Sequence, residues 1–353
     1  MAHALRLAQR GLCTTQPNPR VGCVIAQGEE IVGEGWHQRA GEPHAEVFAL
    51  HAAGARARGA TAYVTLEPCA HHGRTPPCAQ ALIAAGVARV VVAAEDPFAQ
   101  VDGRGIAKLR AAGIVVEVGL MRAAARELNV GFFSRIERGR PWVRVKLAMS
   151  LDGRTALANG ESKWITAAAA RADVQRWRAR SSAILTGSGT VLADNPRLTV
   201  RLPDGISDVA PLRVVLDRRL RTPPGSHVLD GGTPTLLLHA AGAATADDRF
   251  AAVELAAVAQ QGDALDLHAV LELLAARDIN ELHVEAGPTL CGALFAAGLV
   301  DELLLYIAPL LLGDAARPLL QLPTLADMAA RWQLQVLDQR QLGTDWRLRL
   351  RPA

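Results

Sequence analysis

Hydrophobic and polar positions alternate in two long runs, each cycling between strand-like and helix-like spacing. In the first run, apolar positions at 22–26 and 30–35 flank Gln27-Gly28-Glu29 and predict a hairpin. Helical spacing follows over 46–53, then a strand over 61–66, a helix over 78–85 stopped by Gly86, and a buried strand over 87–94. A helix over 105–112 and a strand over 114–118 complete the series, and Leu and Ala in the first ten residues predict a short amphipathic helix. This order predicts a three-layer α/β/α sandwich. The second run predicts strands over 142–148, 183–186, 212–216, 235–238, 281–285 and 302–307, with helices over 168–180, 270–276 and 290–297. The runs meet near Arg138-Gly139-Arg140-Pro141, which divides the chain into domains 1–139 and 140–353. The Ala- and Gly-rich stretch 240–264 reads as variable surface.

Composition narrows the class. Half the residues are hydrophobic, enough for two cores, and scarce aromatics (4%) with abundant Ala and Leu suit a helix-rich α/β protein. A net charge of +3 is too small and dispersed for a nucleic-acid surface. The N-terminus lacks a signal-peptide core, and the most apolar stretch, 303–312, is too short to span a bilayer and contains Pro309. A soluble, cytoplasmic protein is expected. The five cysteines are odd in number and suit metal binding better than a disulfide framework.

Candidate chemistry concentrates in the first run. His44-Ala45-Glu46 is followed by Glu67-Pro68-Cys69 and then Cys78. One imidazole and two thiolates give Zn²⁺ three protein ligands, leaving the fourth position to a water whose pKa the metal lowers to about 7. Glu46, close to His44 but not needed as a ligand, is placed to take that water's proton as hydroxide attacks an amidine-like ring carbon, and to pass a proton to the departing amine. Nucleobase deaminases carry H-x-E with P-C-x-x-C. Here the cysteines are separated by eight residues, Ala70 to Pro77, a loop long enough to reach over a pocket with His71, His72 and Arg74. Those side chains suit a phosphate or sugar. Both ligand groups fall where a strand gives way to a helix, whose N-terminal partial charge favours thiolates. Upstream, Asn18 in the rigid turn Pro17 to Gly22 has donors and an acceptor for a heterocycle edge. Cys13, Cys23 and Cys291 are assigned to packing.

Read from residues alone, the second run says less. Gly187-Ser188-Gly189-Thr190 is a weak phosphate-loop pattern. Trp164 reads as core, Arg178 as solvated helix surface, and Arg201 as a possible phosphate clamp. A nucleotide-binding α/β domain is the expectation. Asp217-Arg218-Arg219 follows the strand at 212–216, and a strand-end arginine is where a 2′-phosphate would be met. Arg218 or Arg219 is therefore expected to favour NADPH over NADH.

The chain also carries Asn18-Pro19-Arg20-Val21-Gly22, the two zinc motifs, Lys146 to Arg154, Gly160 to Thr166, Thr190 to Pro196, and Val284-Glu285-Ala286-Gly287-Pro288-Thr289-Leu290. Together, in this order, they resemble the bifunctional deaminase–reductases of riboflavin biosynthesis over nearly the whole chain. The resemblance implies a cytidine-deaminase-like three-layer sandwich followed by a dihydrofolate-reductase-like α/β domain. It implies hydrolysis of the 2-amino group of a phosphoribosylated diaminopyrimidinone, then NADPH-dependent reduction of ribosyl to ribityl. It implies that His44, Cys69 and Cys78 hold zinc, that Glu46 moves protons, and that Asn18, His71 and Arg74 touch the deaminase substrate. It sets Ser162, Arg178, Leu198, Arg201 and Glu285 around the ribosyl phosphate. Ala148, Trp164, Thr190, Asp194 and the turn Gly287, Pro288, Thr289, Leu290 then meet NADPH. Lys146 and Asp194 are candidates for delivering a proton as hydride arrives. One departure is Ala286 before Gly287 where many relatives have Gly-Gly; the added methyl matters only if that backbone needs positive φ. The phosphorylated pyrimidine is the expected partner, with no nucleic acid or membrane, in a homo-oligomer (dimer or tetramer). A nucleic-acid deaminase would predict C-x-x-C and a basic groove, and a decayed binding protein would predict loss of Glu46 or a ligand.

Overall fold

The computed structural model describes residues 1–70, 77–99, 101–202, 209–244 and 246–353. His71 and Arg74 lie outside the described residues. The chain divides into two compact units, Met1–Gly139 and Arg140–Ala353.

The first unit is built on a five-stranded sheet of β1 (Gly22–Gln27), β2 (Glu30–Trp36), β3 (Thr61–Val64), β4 (Arg89–Val92) and β5 (Val115–Val118), in the order β2-β1-β3-β4-β5. β1 is antiparallel to both neighbours, while β3, β4 and β5 run parallel. Its helices are α1 (Ala2–Ala8), α2 (Ala45–Ala53), α3 (Cys78–Ala85), α4 (Arg104–Ala111), α5 (Arg122–Leu128) and α6 (Val130–Arg138). Ala45, Ala49 and Ala53 of α2, Ala79 and Leu82 of α3, and Ile106 and Leu109 of α4 bury one sheet face with Ile25, Val64 and Val90. Leu5 of α1 with Phe132 and Phe133 of α6 covers part of the other. This is the layered sandwich that the alternating pattern predicts.

Small residues set how closely the layers approach. A side chain at Gly35 would put its Cβ 2.3 Å from the Ala45 carbonyl, and one at Gly33 would stand 2.2 Å from that of Ala49. Glycines on β2 therefore let α2 lie against the sheet with almost no gap, which sets the height of its N-terminus, where His44 sits.

The second unit carries β6 (Trp142–Ser150), β7 (Arg154–Ala156), β8 (Ala183–Gly187), β9 (Leu212–Leu216), β10 (Thr235–Ala240), β11 (Glu254–Val258), β12 (Gln260–Gln261), β13 (Ala264–Leu265), β14 (Glu281–Val284), β15 (Glu302–Ala308), β16 (Arg317–Pro318), β17 (Leu334–Leu342) and β18 (Asp345–Pro352). Nine of them form a sheet in the order β11-β10-β9-β8-β14-β6-β15-β18-β17, parallel from β11 through β15 and closed by the antiparallel hairpin β17–β18. Its helices are α7 (Ala168–Ala179), α8 (Ser188–Asp194), α9 (Leu267–Ala276) and α10 (Pro288–Ala296). Leu271 and Leu274 of α9 and Leu294 and Phe295 of α10 bury one face. Trp177 of α7 and Val191 of α8 help cover the other, in separate clusters.

Several elements depart from the pattern-based expectation. The strands expected over 61–66 and 87–94 are shorter, Thr61–Val64 and Arg89–Val92, although backbone bonds from Ala93 to Val64 and from Glu67 to Ala94 continue past their ends. The stretch 240–264, expected to be variable surface, contains β11, which pairs in register with β10 through Leu236↔Glu254 to Ala240↔Val258. Its alanines gave no β-branched signal. α5, α6 and α8 lie in segments where no element was expected, and so does the C-terminal hairpin, whose arginines alternate with Leu348 and Leu350.

Candidate active sites

Two sites are present, one in each unit. In the first, His44 is the N-cap of α2, Cys78 is the first residue of α3, and Cys69 follows the end of β3. The Nδ1 atom of His44 lies 3.6 Å from the Cys69 sulfur and 3.3 Å from the Cys78 sulfur. All three donor atoms fall within 4.8 Å of one another. A tetrahedral ion bonded at about 2.3 Å to sulfur and about 2.0 Å to nitrogen sets such pairs about 3.5 Å apart. The donor set thus fits zinc. Between the two sulfurs, the Cys69 thiol is drawn down to about 4, foremost by its hydrogen bond with Cys78, and Cys78 is pushed up, foremost by its bond to Cys69.

Glu46 stands in the first turn of α2 and is almost fully buried. Burial raises its pKa, partly opposed by His44, and its Oε2 has no hydrogen-bond partner among the described residues. A desolvated carboxylate oxygen with nothing to bond is costly unless a ligand completes it.

Two residues that the pattern did not single out shape this site. His37 is buried, and its Nδ1 lies 3.1 Å from the Pro43 carbonyl, so Nδ1 carries the proton. Its Nε2 then accepts from Asn18 Nδ2 at 3.1 Å. This fixes which end of the Asn18 amide faces His37 and leaves the Asn18 oxygen for another partner. Burial lowers the pKa of His37, in keeping with the neutral ring this chain needs. Glu67 accepts from four backbone amides, those of Asp96, Gly103, Gly105 and Ile106, at 2.9–3.3 Å. One buried carboxylate, two residues before Cys69, gathers the segment leading into α4. No periodicity marks either residue, because each acts through contacts distant in sequence.

The second site is a cavity of about 1620 Å³ at the carboxyl ends of β6, β8, β9 and β14. Parallel α/β sheets bind ligands at these ends. A single small ligand fills about 300–1,000 Å³, so this space accommodates two. It is lined by Lys146, Ala148, Ser162, Trp164, Arg178, Thr190, Asp194, Leu198, Arg201 and Glu285, and by Gly287, Pro288, Thr289 and Leu290. Two helices open onto it: α8 at Gly187-Ser188, and α10, whose N-cap is Gly287 and whose first residue is Pro288. Such ends attract anions. Ala286 does not adopt positive φ, so its methyl adds no strain.

Arg178 corrects the surface reading of its helix. It is buried, and its guanidinium forks onto Glu285 at 2.5 and 2.8 Å while donating to the Thr199 carbonyl at 2.8 Å. Burial would lift Glu285, but Arg178 overrides it and holds the carboxyl well below its usual range. Trp164 corrects the core reading: it is 70% exposed, with the Arg171 guanidinium 4.7 Å over its ring. In both cases position along the strand or helix says nothing about what a neighbouring element places opposite. Leu198 is buried at φ 50°. It is held there by Arg178 on the Thr199 carbonyl and by Arg213 on that of Arg197. Arg197, also lining the cavity, lies near enough to Arg201 to help depress its pKa, after burial and Arg178. Lys146 has its pKa lowered by burial, against the pull of Glu285.

A metal triad beside a buried acid, in one unit, and a dinucleotide-sized cavity at parallel strand ends, in the other, define a deaminase joined to a reductase. Residues 1–94 match the cytidine and deoxycytidylate deaminase zinc-binding region, and residues 141–348 match the RibD C-terminal domain. The chain is 52% identical to riboflavin biosynthesis protein RibD of Escherichia coli, over 98% of this chain and 96% of that protein. It superposes on Acinetobacter baumannii RibD with a TM-score of 0.92 and 46% identity, covering 100% of this chain and 97% of that one. Another solved relative, a diaminohydroxyphosphoribosylaminopyrimidine deaminase/5-amino-6-(5-phosphoribosylamino)uracil reductase from Thermotoga maritima, gives a TM-score of 0.88 at 32% identity, covering 100% and 97%. The chain belongs to the bifunctional deaminase–reductase family of riboflavin biosynthesis, with a zinc-dependent hydrolase unit and an NADPH-dependent oxidoreductase unit. Among the described residues no helix is long and apolar enough to cross a membrane.

Proposed function

We propose that the first unit removes the 2-amino group of 2,5-diamino-6-(5-phosphoribosylamino)pyrimidin-4(3H)-one, and that the second reduces the ribosyl group of the product to ribityl. The observation that carries this reading is the convergence of His44, Cys69 and Cys78 beside the unsatisfied Oε2 of Glu46. Those three residues would hold the zinc, which when bound acidifies water and so supplies a nucleophile at neutral pH. Glu46, desolvated and with a raised pKa, takes the proton of the attacking water and delivers one to the departing amine. Asn18, oriented by His37, offers its free oxygen to the heterocycle. His71 and Arg74 are assigned to the substrate's sugar phosphate on the family resemblance alone.

NADPH supplies the hydride in the second unit. Ala148, Trp164, Thr190, Asp194 and the turn Gly287 to Leu290 are assigned to the cofactor. Ser162, Arg178, Leu198, Arg201 and Glu285 are assigned to the lining of the ribosyl-phosphate site. The Arg178–Glu285 fork is a rigid buried floor, which leaves Arg197 and Arg201 to meet the phosphate. Lys146 is favoured over Asp194 as proton donor, because burial weakens its hold on the proton. The same reading takes the enzyme as cytoplasmic and homo-oligomeric, the edge strand β17 being open to a partner. Sedimentation velocity tests the oligomer.

The zinc-loaded protein, given the diaminopyrimidine nucleotide, should release one ammonia per substrate and then oxidise one NADPH. Absence of ammonia release from zinc-replete protein overturns the deaminase assignment. Ammonia release without NADPH oxidation overturns only the reductase assignment.

A further inference from the structure

One face of the second unit's sheet carries a row of charge, laid out by the alternation of side chains along each strand. Along β14 and the residue after it, Leu282 and Val284 enter the main core, so Glu281, His283 and Glu285 take the opposite face. On β6, Val143, Val145 and Leu147 enter the same core and leave Arg144 and Lys146 on that opposite face. Strand pairing sets His283 beside Arg144, and Arg144 beside Glu302 of β15. Helix α7 covers this face with Trp177, which lies against Arg144, and with Arg178. The charges are paired: Arg178 forks onto Glu285, Arg144 spans Glu281 and Glu302, Arg180 joins Glu281, and Arg349 joins Glu302.

His283 stands apart from this pairing. It is fully buried, and neither ring nitrogen completes a hydrogen bond among the described residues. A buried polar group in that state is costly. Its surroundings fix its charge. Burial disfavours a charged ring, and Arg144 from β6 and Arg178 from α7 repel a third cation, against the pull of Glu285. β8 sets the apolar Ile184 in register beside it. The ring is therefore neutral, with one N–H and one lone pair. Glu285 Oε1 stands 3.3 Å from Nε2, which places the proton on Nε2. A closure of about 0.3 Å gives an ordinary hydrogen bond, and bonds at reacting sites often tighten only when substrate is bound.

Building on the reading of Lys146 as proton donor, we infer that His283 is a positioning residue for the reductase step: its Nε2–H holds Glu285 from the buried side, and Glu285 in turn seats the Lys146 ammonium. Glu285 is the carboxylate whose charge opposes the effect of burial on Lys146, and the Tyr306 ring lies 5.9 Å from the same ammonium nitrogen. The Arg178 fork fixes the Glu285 carboxylate within its own plane and leaves it able to hinge out of that plane. A second donor on Oε1 removes that freedom. His283 does not line the cavity, so it acts only through Glu285. A displaced proton donor slows the chemical step even where substrate binding is intact.

The test is NADPH oxidation by the zinc-loaded full-length protein given the deaminated product. Glutamine sets its amide nitrogen where Nε2 stands, and asparagine sets it where Nδ1 stands. His283→Gln thus keeps the donor to Glu285, and His283→Asn loses it. His283→Asn should lower kcat about ten-fold, as for one hydrogen bond to a charged group, with the KM for substrate and the Kd of NADPH unchanged. His283→Gln should recover most of the wild-type kcat. Equal kcat in the two variants overturns the inference, because packing alone does not distinguish one amide position from the other. A loss carried by KM with kcat intact overturns it too. Where thermal unfolding shows that His283→Asn does not fold, His283→Leu takes its place as the variant without a donor. Lys146→Met with wild-type kcat overturns instead the donor reading on which the inference rests.

Discussion

At the scale of single residues, the site in the first unit turns on a carboxylate oxygen of Glu46 that is buried and has no hydrogen-bond partner among the described residues. Glu46→Gln removes the charge and keeps the shape. Zinc content should stay at one per chain, while ammonia release should fall by about 10²–10⁴-fold, the range of general acid–base catalysis. NADPH oxidation by the second unit, given the deaminated product, should be unchanged. Metal analysis with the two activity assays separates these outcomes. In the second unit, Arg178→Ala strips the buried Glu285 of its bidentate guanidinium partner, leaving only His283 at 3.3 Å and the charge of Lys146. Breaking such a pair from one side costs about 3–5 kcal/mol. Thermal unfolding should register the loss, and Arg178→Lys should restore little of it, since lysine lacks the fork. Some of this was readable from residues. The spacing of His44, Cys69 and Cys78 names a metal because few other uses bring those types to strand–helix junctions. His37 was not readable: its role is a tautomer, set by the Pro43 carbonyl on one side and Asn18 on the other.

At the scale of elements, Glu67 holds the approach to α4 against the strand-end turn that carries Cys69. Its two oxygens accept from four amides, and a glutamine in its place would turn an N–H toward at least one of them. Each buried donor left unsatisfied costs about 1–3 kcal/mol. Glu67→Gln should lower the unfolding temperature of the first unit and speed zinc loss to a chelator, with the second unit's NADPH oxidation intact. Wild-type zinc retention would rule this role out. Gly105 is the matching partner, since a Cβ there would stand 1.9 Å from the Pro68 carbonyl. The helices and strands around this loop were readable where the apolar period was strong, as in β1 and α3. They were not readable for α8 or β11, whose sequences are short or alanine-rich and gain their form from β8 and β10 alongside.

At the scale of the molecule, each unit has its own core and its own site, so the two activities should respond separately to stress. A chelator should stop ammonia release and spare NADPH oxidation. Acid should act on the second unit through Glu302. Burial would raise that carboxyl, but Arg144 and Arg349 override it and hold it near 2, against 4.5 for the free group. A depressed carboxyl stabilises the fold above its unfolded value and ceases to do so as pH falls through its folded value. About 3 kcal/mol should therefore be lost between pH 4.5 and 2, and Glu302→Gln should flatten that part of the stability profile. Denaturant unfolding at stepped pH gives the slope.

The order of elements, the class of each half, and the residue types able to bind zinc are properties of the linear chain, because apolar periodicity and ligand spacing are local. The partners of those residues are not. Whether Arg178 faces water or Glu285, and whether Trp164 is core or cavity wall, each depend on what a remote element sets opposite. Strand order decides that, through close packing that no window of sequence contains.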